Sequence, residues 1–191
     1  MKRPFPHRVR YRDVRGKIRD ADLLLFRARP RLHSRMIAAA GRSPYSHAAL
    51  AAWWGERLMC LETRQWIGGR AVTLSNLVAE SPGSIDVYTL KLKDDQRAAA
   101  IDRMITAGGK RYGWPALVWH ALHSAPALRW LLPPEVDDGR NGSLPVCSQL
   151  VSRALRDGAG VDVTPNLSDR ATTPGDLARS ALCRYRFTLE E

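Results

Sequence analysis

The spacing of hydrophobic and polar positions predicts β-strands in the first half of the chain and at its end. Short apolar or alternating runs bounded by turn residues are typical of strands. They occur at 20–28, 47–54, 57–64, 70–75, 84–92 and 184–190. The segments "HAALAAWW" and "RLMCLETR" are separated only by Gly55 and Glu56. That spacing predicts an antiparallel hairpin over roughly residues 47–64.

Helical spacing of apolar residues dominates the second half of the chain. Start and stop signals bound the candidate helices, which are 30–41, 94–109, 115–132, 147–158 and 173–180. For the first of them, the predicted inward face comprises Leu32, Met36, Ile37 and Ala40. For the helix that begins at Cys147, the predicted inward stripe comprises Leu150, Val151, Ala154 and Leu155.

Strands and helices without a repeat or a linker predict a single α+β domain. A chain of 191 residues is long enough for such a domain to bury a core. We expect the domain to span 20–191, with an exposed loop at 133–143. Residues 1–19 are rich in arginine and lysine, and they are predicted to form a basic, loosely ordered arm.

The net charge of +11 favours contact with anionic surfaces, namely nucleic acid, phospholipid or an acidic wall polymer. Arginines of the N-terminal arm could bind phosphates without sequence specificity; they are Arg3, Arg8, Arg10, Arg12 and Arg15. A basic nucleic-acid-binding or anionic-surface-binding module is therefore an alternative function. The sequence lacks helix-turn-helix glycines, RNP aromatics and zinc spacing, so no specific nucleic acid is expected as a partner.

The basic N-terminal segment is followed by only four consecutive apolar residues, "LLLF", which is too short for a secretory signal. We therefore expect a protein that is cytoplasmic as synthesised. Action on a cell wall would require release by lysis, or injection as phage or secretion-system cargo. Three cysteines without a CxxC pair favour a reducing compartment over a disulfide framework.

We expect no metal and no cofactor. His120 and His123 form an HxxH pair, but no third ligand lies at a metal-binding spacing. The pair falls in the apolar segment 115–132, which is too short and too polar for a membrane span. This segment is expected to pack in the core, and an acyl- or membrane-facing groove is the alternative.

The candidate nucleophile is Cys147, which stands where the loop "GSLP" meets a predicted helix. Free amides in a first helical turn favour a thiolate, and they also stabilise the oxyanion formed when it attacks a carbonyl. His47, at the start of a strand, is the candidate base, and Glu62 on the paired strand is the candidate orienting acid. Taken singly, each residue type is more often structural. Cys60 and Cys183 lack the helix-start position and are predicted to pack in the core.

The order of these motifs resembles the NlpC/P60 superfamily of papain-like cysteine hydrolases, in its circularly permuted branch of the YaeF/YiiX type. The segment "GGKRYGW" (108–114) precedes "VCSQLV" (146–151), whereas the "YSHAAL" strand lies far upstream of the cysteine. Histidine, then acid, then cysteine is the permuted order. "ADLLLFR" near the start and "TPGDLARS" near the end also look like family landmarks, so the resemblance covers roughly residues 20–188.

This resemblance implies a permuted papain-like fold, in which an antiparallel sheet packs against helices that include the cysteine helix. It implies that Cys147 is the nucleophile, His47 the general base and Glu62 the orienting acid. Tyr112 matches the family tyrosine beside the nucleophile and would donate to the oxyanion. The implied activity is that of a cysteine peptidase or amidase working through a thioester acyl-enzyme. Its substrate would be a peptidoglycan peptide or an N-acyl or lipid-linked amide.

Two alternatives share this layout. The lecithin:retinol acyltransferase type carries an Asn-Cys-Glu-His-Phe signature, where this chain has Val-Cys-Ser-Gln-Leu, but acyl transfer stays open. The second alternative is an inactive hydrolase fold that serves only in assembly. Such a protein would not need Cys147, His47 and Glu62 together. The enzyme interpretation predicts that His47 and Cys147 lie within about 4 Å of each other, and a gap beyond about 8 Å would favour the basic module.

Overall fold

The centre of the protein is a seven-stranded β-sheet in the computed structural model, which describes residues 7–64, 68–108 and 147–191. The strands are β1 (Arg8–Arg10), β2 (Leu23–Arg27), β3 (Tyr45–Trp54), β4 (Arg57–Arg64), β5 (Gly68–Thr73), β6 (Ile85–Leu90) and β7 (Cys183–Glu190). Their order across the sheet is β1-β7-β6-β2-β3-β4-β5. The helices are α1 (Tyr11–Val14), α2 (Leu32–Ala40), α3 (Leu74–Glu80), α4 (Asp94–Gly108), α5 (Cys147–Arg153) and α6 (Pro174–Arg179).

The predicted hairpin is confirmed. β3 and β4 pair antiparallel, with Leu50 opposite Leu61 and the turn at Gly55. Gly55 has φ +59°, in the left-handed region that glycine enters without a Cβ clash. β4 then pairs with β5, and Glu62 lies opposite Arg70. The hairpin and β5 together make one edge of the sheet.

The residues just after the N-terminus differ from the predicted loose arm. β1 pairs in parallel with β7, with Arg8 opposite Thr188. Val14 and Ile18 are buried in the core beside it, although charged residues surround them in sequence. Pairing with β7 and burial of Val14 and Ile18 therefore give regular structure to a segment whose charged composition is typical of a solvated arm. The parallel pair also makes the sheet mixed, which corrects the prediction of an antiparallel sheet.

Helices α2, α4, α5 and α6 lie where the apolar spacing predicts them. The predicted inward face of α2 is wrong, because Leu32 and Met36 are exposed while Ser34 and Ala38 are buried. A hydrogen bond of 2.8 Å between the hydroxyls of Ser34 and Ser46 joins the buried side of α2 to β3. Helix α3 replaces the end of the strand predicted at 70–75.

Apolar clusters cover both faces of the sheet. One cluster packs strands against α4 and α5, and it contains the predicted stripe Leu150, Val151, Ala154 and Leu155. Burying each such leucine contributes about 1.5–3 kcal/mol. The other cluster joins the opposite face to α3 and the segment after β1. Because α5 contacts β3 and β4, the cysteine helix is fixed directly against the hairpin.

Several predicted features lie outside the described residues. They are the helix at 115–132, the loop at 133–143, Tyr112, His120 and His123. Within the residues that are described, no helix is both long and apolar enough to cross a bilayer.

Candidate active site

A histidine and a carboxylate meet across the two strands of the hairpin. His47 Nε2 on β3 lies 2.6 Å from Glu62 Oε2 on β4. The Phe26 ring packs against the imidazole, with ring centroids 5.2 Å apart, and the Glu62 side chain is only 1% exposed. The buried carboxylate and the aromatic ring therefore hold the imidazole in place. The other ring nitrogen, Nδ1, is then left to interact with a third group.

Two arginines hold the other oxygen of Glu62. Oε1 lies 2.7 Å from Arg70 Nε and 2.9 Å from Arg64 Nε. Burial alone would raise the pKa of Glu62, but the hydrogen bond and charge of His47, with the two arginines, lower that pKa to about 2. Glu62 is consequently ionised at neutral pH. Its two oxygens therefore make charge-assisted contacts with different side chains, Oε2 with His47 and Oε1 with the two arginines.

Cys147 is the first residue of α5, and it faces the same histidine. Its sulfur lies within reach of the His47 ring, whose charge and hydrogen bond act on the thiol, and of the backbone at Ala48 and Ser148. The residue is 7% exposed, so a small part of it reaches solvent. The fold thus places one imidazole between a thiol and a carboxylate, although His47 and Cys147 are far apart in sequence.

The thiol and the imidazole shift each other's pKa in opposite directions. Burial alone would raise the pKa of Cys147 and lower that of His47. The charge and hydrogen bond of His47, and then the amides of Ala48 and Ser148, lower the pKa of the Cys147 thiol. The negative sulfur, and then the contact with Glu62, raise the pKa of His47 to about 9. These shifts favour a thiolate–imidazolium pair at neutral pH.

The other two cysteines lie in the core, as predicted. Cys60 is completely buried in one apolar cluster, and Cys183 is buried in the other. Burial is the main cause that raises the pKa of Cys60 well above its ordinary value and that of Cys183 to about 11. Both therefore stay protonated at neutral pH.

These contrasts predict selective alkylation. At pH 7, we expect iodoacetamide to label Cys147 about tenfold or more faster than Cys60 or Cys183, because only Cys147 is held as a thiolate. The rate at Cys147 should persist to lower pH than the rates at the other two cysteines, since the pKa of its thiol is lowered and theirs are raised. Peptide mapping over time measures all three sites in one sample. Equal or slower labelling at Cys147 would remove it as the nucleophile.

A buried polar network anchors α5 from its other side. Ser148 Oγ donates to the Thr172 carbonyl at 2.6 Å, and Ser152 Oγ donates to Asp169 Oδ1 at 3.1 Å. Asp169 is 2% exposed and also pairs with Arg156 at 2.8 Å. Because Ser148 directly follows the cysteine, this network fixes the start of the helix at the site.

Three of the four residues that the sequence predicts for the site lie in contact, and the fourth, Tyr112, is outside the described residues. The sequence reasoning missed Arg64 and Arg70. Pairing the strand "GGRAVT" with β4 would have placed Arg70 opposite Glu62. Arg64 follows Glu62 by two positions, a spacing that puts two side chains on one face of a strand.

Among solved structures, the chain is similar to the crystal structure of metalloprotein YiiX from Escherichia coli O157:H7, DUF1105. The TM-score is 0.63 at 14% sequence identity, and the match covers 90% of this chain and 97% of that chain. No family model and no curated protein matches the sequence. The described parts of this chain contain no group of three or more His, Cys, Asp or Glu residues placed to hold a metal ion. The α+β fold with its seven-stranded mixed sheet is thus compatible with a YiiX-like fold.

Proposed function

We propose that this protein is a cysteine hydrolase with a circularly permuted papain-like fold, which cleaves an amide bond through a thioester. The observation that carries the proposal is the His47 ring, which contacts the Cys147 sulfur and the buried Glu62 carboxylate together. The chain order of histidine, acid and cysteine is the permuted one. The likeness to YiiX supports the fold in this proposal and leaves the activity to the residues of the site.

Acylation begins from the thiolate–imidazolium pair. The Cys147 sulfur attacks the substrate carbonyl carbon, and the carbonyl electron pair moves onto its oxygen. Amides at the start of α5 stabilise that negative charge, and Tyr112 is the further donor implied by the family resemblance. Collapse of the intermediate breaks the C–N bond, and His47 gives its proton to the leaving amine. The product is a thioester on Cys147.

Deacylation uses the same histidine in its neutral form. His47 takes a proton from water as the water oxygen attacks the thioester carbonyl. Glu62 stabilises the imidazolium that forms, and it keeps Nε2 protonated so that the opposite nitrogen faces the reaction. The C–S bond then breaks, which releases a carboxylic acid and restores the thiolate–imidazolium pair. Two substrate classes fit this chemistry: a peptidoglycan peptide, and an N-acyl or lipid-linked amide.

Arg70 acts as a positioning residue, because it touches Glu62 and not the reacting atoms. We expect Arg70→Gln to lower turnover by about 10-fold, the effect typical of a lost outer partner. Without this arginine, the pKa of Glu62 rises and its carboxylate is held less firmly. The acid limb of the pH–rate profile should therefore move to higher pH. Arg70→Lys, which keeps the charge, should recover part of the rate. A uniform loss across the pH range would indicate a merely structural role.

Product analysis tests the proposed function. The wild-type protein and Cys147→Ala are each incubated with a peptidoglycan-type peptide and with an N-acyl amide, with and without an added amine acceptor. The proposal predicts release of the free acid from one of the donors, and its loss in Cys147→Ala. Transfer of the acyl group to the acceptor in place of water would assign acyltransferase activity instead. Release that survives in Cys147→Ala would refute the thiol mechanism.

A further inference from the structure

The outer face of α2 exposes large apolar side chains. Leu32 is 75% exposed and Met36 is 55% exposed, and they stand one helical turn apart. The side of α2 that packs on β3 carries Ser34 and Ala38 instead. We call the exposed side, formed by Arg31, Leu32, Arg35 and Met36, the α2 face. Leaving two large apolar residues in water on one short helix is costly, unless something covers them.

The charge around this face is mostly positive. Arg31 and Arg35 are exposed, and neither makes an ion pair with any residue that the structure describes. The stretch 23–55 contains no aspartate or glutamate, and its arginines are Arg27, Arg29, Arg31, Arg35 and Arg42. On neighbouring α6, Asp176 is already paired with Arg179 at 2.6 Å. A partner that covers the α2 face must therefore carry negative charge to pair with the arginines. It must also offer an apolar environment for Leu32 and Met36.

We propose that the α2 face docks the protein onto an anionic lipid membrane. Arginines at such a surface pair with lipid phosphates, while leucine and methionine side chains enter the boundary between headgroups and acyl chains. A nucleic acid offers the phosphates but no apolar phase for Leu32 and Met36. The docking rests on exposure and charge alone, so it is independent of the thiol chemistry proposed above.

Docking at this face would place the membrane on the outer side of α2, whose inner side packs on the strand that carries His47. α2 is joined to β3 through the hydrogen bond between Ser34 and Ser46, and Ser46 precedes His47. Only residues 41–44 separate the end of α2 from β3. α2 therefore stands between a membrane bound at this face and the strand that carries His47, and the α2 face sets which edge of the protein meets the lipid.

Vesicle co-sedimentation tests this proposal with the full-length chain. We expect binding to vesicles of phosphatidylglycerol and phosphatidylcholine, weak binding to phosphatidylcholine alone, and weaker binding as salt is raised. Arg31→Glu/Arg35→Glu should lower the partition coefficient by about tenfold or more. Leu32→Ser/Met36→Ser should also lower it while the net charge stays the same. Circular dichroism checks that each variant remains folded.

Matched controls separate the α2 face from the general basic charge. Lys91→Glu/Lys93→Glu changes the same number of exposed charges elsewhere, and Ile105→Ser removes an apolar side chain that is 48% exposed on α4. Both controls should bind at least several times more tightly than the α2 variants. The proposal is overturned if the controls bind as weakly as the α2 variants, or if the wild type ignores anionic vesicles. It is also overturned if Leu32→Ser/Met36→Ser dissociates a dimer, since a second copy would then cover the face.

Discussion

His47→Ala is expected to lower turnover of an acyl substrate about 10,000-fold or more, the loss typical of removing a histidine that serves as both base and acid. Without the imidazole, Cys147 loses the charge and hydrogen bond that lower the pKa of its thiol. The leaving amine also loses its proton donor. Steady-state kinetics with a chromogenic ester and with an amide measure both effects. Activity within tenfold of the wild type would show that His47 is not the base.

Glu62→Gln serves as the matched variant, because it keeps the shape of the side chain and removes its charge. We expect a loss of about 100-fold, smaller than for His47→Ala, because the imidazole itself remains. Removing the negative charge lowers the pKa of His47, so less imidazolium faces the sulfur and the pKa of Cys147 rises. The acid limb of the pH–rate profile should therefore move to higher pH. An unchanged profile would contradict the role given to Glu62.

Asp169→Ala is expected to lower the free energy of unfolding by about 2 kcal/mol, because it takes the acceptor away from the buried Ser152 hydroxyl and removes the ion pair with Arg156. Asp169 is 2% exposed, and it binds Ser152 within α5 and Arg156 just beyond the end of that helix. Loosening α5 should also slow alkylation of Cys147, whose position depends on that helix. Chemical denaturation measures the stability, and peptide mapping measures the labelling rate.

Asp157 supplies the control for this prediction. It pairs with the same arginine, Arg156, at 3.0 Å, but from a partly exposed position. Surface ion pairs contribute little, so Asp157→Ala should cost about 1 kcal/mol or less and leave Cys147 labelling unchanged. Equal losses for Asp157→Ala and Asp169→Ala would mean that the buried network does not anchor the helix.

Much of the candidate site could be predicted because its parts depend on local sequence. A Gly-containing turn between two apolar runs defines the hairpin, and this places His47 and Glu62 on neighbouring strands. The apolar stripe of α5 similarly predicts which side of the cysteine helix packs against the sheet. Burial of two locally defined surfaces is then sufficient to bring Cys147 to His47.

The features that the sequence analysis missed depend on contacts between distant segments. β1 pairs with β7 from the opposite end of the chain, and no local pattern specifies such a pairing. The orientation of α2 puts Ser34 against Ser46 and leaves Leu32 and Met36 exposed, which the apolar spacing of the helix does not predict. Arg70 reaches Glu62 only through the register of β5 on β4, which periodicity alone does not supply.

Trapping of the acyl-enzyme tests whether Cys147 is the nucleophile that forms the thioester. The full-length protein is incubated with an activated acyl ester, quenched in acid, and analysed by intact mass and then by peptide mapping. We expect one acyl group per chain, attached at Cys147, with Cys60 and Cys183 unmodified and no adduct in Cys147→Ala. An adduct that persists in Cys147→Ala, or one that maps to another residue in the wild type, would contradict this assignment.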